Sequence, residues 1–196
     1  MTTIMRSAQE TYLMLDRGSI WDTARRCELV LSEHALPHAV VGGVAVCLHG
    51  YPRNTVDVDL LVRREDVDAV RRTMDGEGFV WDAAEHEFRG PDNVPVQFLI
   101  AGDPASDDRS LGVYLPDPAA PGVVTEIEGL SVLSLARLID LKVACGLGNL
   151  RRTHRDFADV VELIVAHHLG RDFARHLHKS VRKGFRGLVL RARGER

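Results

Sequence analysis

No apolar run in the 196-residue sequence approaches the ~18–20 residues of a membrane-spanning helix. The first ten residues, Met-Thr-Thr-Ile-Met-Arg-Ser-Ala-Gln-Glu, lack the basic-then-apolar layout of a secretory signal. Cysteine is scarce: Cys27, Cys47 and Cys145 are odd in number, far apart and set in apolar patterns. That argues against a disulfide framework and for buried free thiols in a cytoplasmic protein with no membrane partner. The pairs His167-His168 and His176-x-His178 do not supply the ligand count or spacing of a zinc site. The sequence also has no internal repeat and no low-complexity tract.

Hydrophobic residues make up 45% and charged residues 27%, a balance that folds rather than staying disordered. The length suits one ordinary domain or a domain with a helical appendage. We place a core with N-terminal helices at residues 1–133 and a helical C-terminal part at 134–196. The net charge of −3 hides an asymmetry. Residues 1–150 hold 13 Lys and Arg against 23 Asp and Glu, whereas residues 151–196 hold 12 against 5. A basic end on an acidic body points to a polyanionic partner, or to a terminal helix solvated by arginine.

The chain is organised around residues 38–62. Ala39-Val40-Val41 is a short apolar run that stops at Gly42-Gly43, as a buried strand does. Two glycines allow a tight turn and close approach to a phosphate. A helix starting at Val44 would turn its free N–H groups toward an anion. After Tyr51-Pro52, Val56-Asp57-Val58-Asp59-Leu60-Leu61-Val62 reads as a strand interrupted by two acids. Side chains two apart share a face, so Asp57 and Asp59 lie together, with Val56, Val58 and Leu60 opposite. Paired acids repel, and a cation between them relieves the repulsion. An exposed edge strand could carry the same acids into water. The Gly-Gly turn and the Arg53-x-Thr55 approach favour the metal-and-phosphate reading.

Elsewhere, residues 7–36 read as helix, broken near Gly18, with Trp21, Ala24, Leu29 and Leu31 inward and Arg25, Arg26, Glu28 and Glu33 outward. A charged amphipathic helix follows over 63–75, then strands near 79–81, 85–88 and 94–100. Residues 101–122 form a long loop, placed to cover a substrate, with a short strand at 113–115. A hairpin spans 123–133, and Ser134 is the expected cap of a helix over 135–147. Lys142 falls on that helix's apolar stripe, where it must either snorkel to solvent or meet anions. Thr153 is placed to cap the next helix, whose Asp156 and Asp159 are surface neighbours at i, i+3.

Gly42-Gly43 followed by Arg53-x-Thr55-x-Asp57-x-Asp59-Leu60-Leu61 resembles the signature of the nucleotidyltransferase fold, the DNA polymerase β-like superfamily. Within it, the chain resembles the toxin nucleotidyltransferases of the AbiEii and mycobacterial Men kind, over residues 38–165. The resemblance implies an α/β (α+β) fold, a mixed sheet with surrounding helices, and transfer of a nucleoside monophosphate from an NTP to an acceptor hydroxyl. It implies Mg²⁺ or Mn²⁺ held by Asp57 and Asp59, an NTP triphosphate cradled by Gly42 and Gly43, and Arg53 and Lys142 neutralising it. Lys142 matches the essential lysine of these toxins, and Arg155-Asp156-x-x-Asp159 their following helix, so Asp156 is expected to complete the site or hold Lys142. The implied acceptor is the tRNA 3′ end, bound through the basic C-terminal region. The implied partner is an antitoxin protein, in some relatives a kinase acting at the position of Thr55. The sequence departs from the fold's pattern at Gln97, where a third carboxylate is usual. That leaves two further readings: a catalytically impaired binder of nucleotide or RNA, and a transferase acting on a small molecule such as an aminoglycoside.

Overall fold

The strand that carries Asp59 lies inside the sheet, and its neighbours explain its sequence; Asp57, expected on the same strand, falls just before it. In a computed structural model describing residues 18–90 and 93–194, β2 (Val58–Val62) pairs antiparallel with β1 (His38–Val40) and parallel with β5 (Pro95–Ile100). A strand with partners on both edges needs apolar side chains on its buried faces. Val58, Leu60, Leu61 and Val62 are all fully buried. Asp59 is the exception, and the site is built around it.

The remaining strands are β3 (Val80–Asp82), β4 (Glu87–Arg89), β6 (Val124–Ile127) and β7 (Leu130–Leu133). The seven-stranded order is β3-β4-β5-β2-β1-β7-β6. The β2–β5 and β1–β7 pairs are parallel and the others antiparallel, so the sheet is mixed as expected. The helices are α1 (Gly18–Glu33), α2 (Gly42–Leu48), α3 (Val67–Gly76), α4 (Leu135–Gly148), α5 (Thr153–Ala166) and α6 (Arg182–Ala192). The expected helix over residues 7–17 lies outside the described residues. Helices α1 and α3 pack together and are joined by an Arg26–Glu77 ion pair. Helices α4, α5 and α6 pack on one another as a C-terminal group.

Several local expectations need correction. Val56 does not share a strand face with Val58: β2 begins at Val58, and Val56 is 63% exposed. Leu29 points outward while Trp21, Ala24 and Leu31 are buried. Glu28, expected in solvent, instead reaches the sheet and accepts from the Ser131 N–H at 2.7 Å, the Ser131 hydroxyl at 3.0 Å and the Ser32 hydroxyl at 3.0 Å. It also lies 3.1 Å from Nε2 of the buried His38. Neither predicted helix cap forms. The Ser134 hydroxyl donates to the Gly122 carbonyl, and the Thr153 hydroxyl donates to the carbonyls of Gly146 and Asn149. Ser134 holds the N-cap position of α4 but its side chain accepts nothing from the helix N–H groups, and Thr153 falls inside α5, whose N-cap is Arg152.

The three cysteines are free, with Cys27 and Cys47 buried and Cys145 half-buried. Burial pushes the Cys27 thiol up to about 12, which makes it unreactive.

Candidate active site

Gly42 takes a left-handed φ of +59° at the junction of β1 and α2. A Cβ there would lie 1.7 Å from Asp59 Oδ2, so the glycine is what lets the acid fold against the turn. A Cβ on Gly43 would lie 2.3 Å from the Thr55 hydroxyl and 3.2 Å from Arg53 Nη2. The turn therefore brings together five of the residues singled out by sequence: Gly42 with Asp59, and Gly43 with Thr55 and Arg53. Asp57 sits in the bend before β2, where its Oδ1 accepts from the Thr55 hydroxyl at 3.0 Å.

Burial first, and the Asp57 charge second, raise the Asp59 carboxyl from its ordinary 3.8 to about 6; Lys142, Arg152 and Arg155 pull the other way. Two carboxylates in this relation fit a divalent cation placed between them. Among the described residues no group of three or more His, Cys, Asp or Glu is placed to hold a metal ion. Two acids leave most of a coordination sphere to substrate oxygens, as suits a cation bound together with phosphates.

Beyond the acids lies an ion-pair network. Lys142 is 5% exposed, which rules out a snorkelling lysine. Its Nζ is 2.9 Å from Asp156 Oδ1 and 2.7 Å from Asp159 Oδ2. Arg53 faces Asp159 with both guanidinium edges, Nε at 2.7 Å from Oδ1 and Nη2 at 3.1 Å from Oδ2. Arg152 Nε lies 3.3 Å from Asp156 Oδ2. The alternation Arg53–Asp159–Lys142–Asp156–Arg152 gives each buried charge an opposite neighbour, without which its burial would cost several kcal/mol. Asp156 holds Lys142, one of the two roles expected of it. Asp159, given less weight in the sequence, is the acid that joins Arg53 to Lys142.

A cavity of about 600 Å³ opens beside this network, lined among others by Gly42, Asp59, Gln97, Lys142, Arg152 and Asp156. Its outer wall is the 101–122 loop, contributing Pro104 to Asp107, Arg109 and Leu115. In place of the expected short strand, the loop has a single bridge between Pro104 and Tyr114. It is tied to α4 and the α4–α5 connection. Asn149 Nδ2 donates to Asp107 at 2.6 Å, and Cys145 Sγ lies 2.8 Å from the Ala105 carbonyl. The loop's length and its place after the 94–100 strand signalled mobility or function, and the fold sets it beside Asp59. The site thus combines paired acids, a glycine turn without Cβ atoms, and cations around a cavity. That set can bind a metal-chelated polyphosphate.

No protein-family model and no curated protein matches the chain. Solved structures do. A candidate nucleotidyltransferase from Thermotoga maritima superposes with a TM-score of 0.53 at 18% identity, covering 73% of this chain and 94% of that one. A candidate nucleotidyltransferase from Helicobacter pylori gives 0.53 at 19% identity over 89% of this chain and 79% of that one. ANT(2″)-Ia, in complex with adenylyl-2″-tobramycin, gives 0.50 at 16% identity over 83% and 94%. The chain has the nucleotidyltransferase fold.

Proposed function

We propose that the protein transfers a nucleoside monophosphate from an NTP to an acceptor hydroxyl and releases pyrophosphate. The observation that carries this reading is Asp59 packed against Gly42 on the wall of a cavity that Lys142 and Arg152 also line, with the Asp57 carboxylate close enough to act on it. In the proposed reaction Asp57 and Asp59 hold Mg²⁺ or Mn²⁺, which supplies charge neutralisation for the phosphates. Gly42 and Gly43 admit the triphosphate backbone-close, and the Arg53 guanidinium and Thr55 hydroxyl border it. Lys142, already between Asp156 and Asp159, gains a third anionic partner when the triphosphate enters. Preorganised charge of this kind is the main protein contribution in phosphoryl chemistry.

The acceptor in this reading is the 3′ end of tRNA, and the setting is a toxin of the AbiEii or Men kind acting in the cytoplasm. Support comes from the basic residues 151–196 and from Arg152 and Arg155, whose charges act on Asp59. An antitoxin kinase would modify Thr55, which is 3% exposed and donates to Asp57, so the 53–57 segment must swing out to be reached. A phosphate there adds about two negative charges beside the metal acids. Thr55→Ala removes the hydroxyl that would be phosphorylated, so whatever transfer it retains in the assay below should escape that inhibition. A second reading, transfer to a small molecule, is favoured by the likeness to ANT(2″)-Ia.

The test is label transfer. Purified protein is incubated with Mg²⁺, each α-labelled NTP in turn, and either total tRNA or tobramycin, beside the Asp57→Ala/Asp59→Ala variant. Labelled tRNA that depends on the acids is the expected result. Label on tobramycin alone selects the second reading. Nucleotide or RNA binding without any label makes the protein a binder and Gln97 the decisive departure.

A further inference from the structure

Gln97 stands where this fold usually presents a third carboxylate, and the sheet register shows what surrounds it. Asp59 on β2 is paired directly with Gln97 on β5. On the other side of β5, Phe88 of β4 faces Val96, so the next residue pair is Glu87 with Gln97. Asp59, Gln97 and Glu87 therefore form one row across three adjacent strands, with their side chains on one face.

The hydrogen bonding in that row is directional. Gln97 Nε2 donates to Glu87 Oε2 at 3.1 Å. An ionised carboxylate can only accept, so the amide nitrogen must face Glu87 and the amide oxygen must face away from it. Glu87 is 5% exposed and is itself fixed by Arg89, whose Nη2 lies 2.5 Å from Oε1. Gln97 is exposed to the cavity and lines it beside Asp59. The result is a neutral acceptor oxygen of fixed orientation next to a metal-site acid.

We propose that Gln97 Oε1 accepts a hydrogen bond from the attacking hydroxyl of the acceptor, and that Glu87 is a positioning residue acting through Gln97. The proposal rests on the transferase reading above for its substrate. An amide oxygen orients a hydroxyl but does not take its proton at neutral pH. As the acceptor oxygen forms its bond to the α-phosphorus, the bond from that phosphorus to the bridging oxygen breaks, and pyrophosphate leaves with the electron pair. The hydroxyl proton passes to solvent water. The departure from a third carboxylate thus keeps the orienting role at this position and gives up the role of base.

Two measurements on the full-length protein test this together: steady-state label transfer to tRNA, and equilibrium binding of tRNA ending in either a 3′-hydroxyl or a 3′-deoxyadenosine. Both are run on wild type, Glu87→Gln and Gln97→Leu, with thermal melts to confirm folding. Gln97→Leu leaves the buried Glu87 Oε2 without its Gln97 donor and should melt somewhat lower, whereas Glu87→Gln keeps both side chains at their size and should fold normally. Wild type should bind the 3′-hydroxyl tRNA more tightly than the 3′-deoxy form, and both variants should lose that preference. In transfer, kcat/KM for tRNA should fall about tenfold in each variant, the effect of one lost hydrogen bond, with KM for the NTP within about twofold of wild type. Transfer that is unchanged in both variants overturns the role of Gln97 and leaves the transferase reading standing. A wild type that discriminates the 3′-hydroxyl without transferring label supports the Gln97 site and removes the transferase reading. A wild type that neither discriminates nor transfers overturns both.

Discussion

Asp59 carries a burial cost that a bound cation would offset. Burial and the neighbouring Asp57 raise its carboxyl from 3.8 to about 6, so the folded protein holds this proton more tightly than the unfolded chain does. A raised pKa fixes the sign of the linkage. The stability associated with this group is fully present below about pH 4 and is lost as pH rises through about 6. Asp59→Asn, which carries no charge at any pH, should therefore raise the melting temperature at pH 8 in metal-free buffer and have little effect at pH 4. Melts at pH 4, 6 and 8 check this, and an offset that is the same at all three would sink it. Adding Mg²⁺ at pH 8 should stabilise wild type but not the variant, because the cation removes the repulsion that the substitution has already removed. Lys142 shows the complementary case. Its charge is buried, but two aspartates within 2.9 Å compensate it.

At the scale of elements, Glu28 shows how one side chain fastens a helix to a sheet. It projects from α1 and accepts from the Ser131 backbone and hydroxyl on β7 while pairing with His38 on β1. Burial alone would raise its carboxyl, but the hydrogen bonds from His38 and Ser131 outweigh it and bring it from 4.5 down to about 2. A depressed pKa contributes stability above pH 4.5 that is lost as pH falls toward about 2. Glu28→Gln should lower the urea midpoint at pH 7 by the equivalent of about 1–3 kcal/mol, and the gap to wild type should close near pH 2. A gap that persists at pH 2 would mean that packing, not charge, makes the contact. These cross-links also mark the limit of what the sequence discloses. Alternation exposes β2, the 123–133 hairpin and the helices over 135–147 and 155–167, because each is a local pattern. The bidentate Arg53–Asp159 pair spans 106 positions and leaves no local trace. The same holds for Glu87, a charged residue in a short strand until the register sets it beside Gln97. Ser134 and Thr153 satisfy the local rule for caps, yet the Ser134 hydroxyl turns to Gly122 at the far end of the hairpin and the Thr153 hydroxyl turns back to Gly146 and Asn149.

At the scale of the whole molecule, the charge asymmetry acquires a place. The C-terminal excess, 11 basic residues against 4 acidic over the described 151–194, is carried on a helical group that shares α4 with the cavity. Helix α6 lies against α4 and α5, with Gly184 facing Val143 and Leu147, while Lys142 one position earlier lines the cavity. Lys179, Lys183 and Arg186 are exposed near that contact, and Arg151, Arg152 and Arg155 are exposed at and just after the α4–α5 connection, where Arg152 lines the cavity. A polyanion whose end entered the cavity could continue over both groups. If tRNA binds this way, its affinity must fall steeply with salt, because each neutralised phosphate releases condensed counterions. Replacing Lys179, Lys183 and Arg186 together by Ala should weaken tRNA binding and make the slope of log K against log salt shallower by about two to three, at roughly 0.7–0.9 for each lost contact. The three side chains are exposed, so the melting temperature should stay nearly unchanged. Unaltered affinity together with an unaltered slope would place the RNA elsewhere. Weaker binding with an unaltered slope would point to a structural effect of the substitutions, because only lost phosphate contacts change the number of ions released.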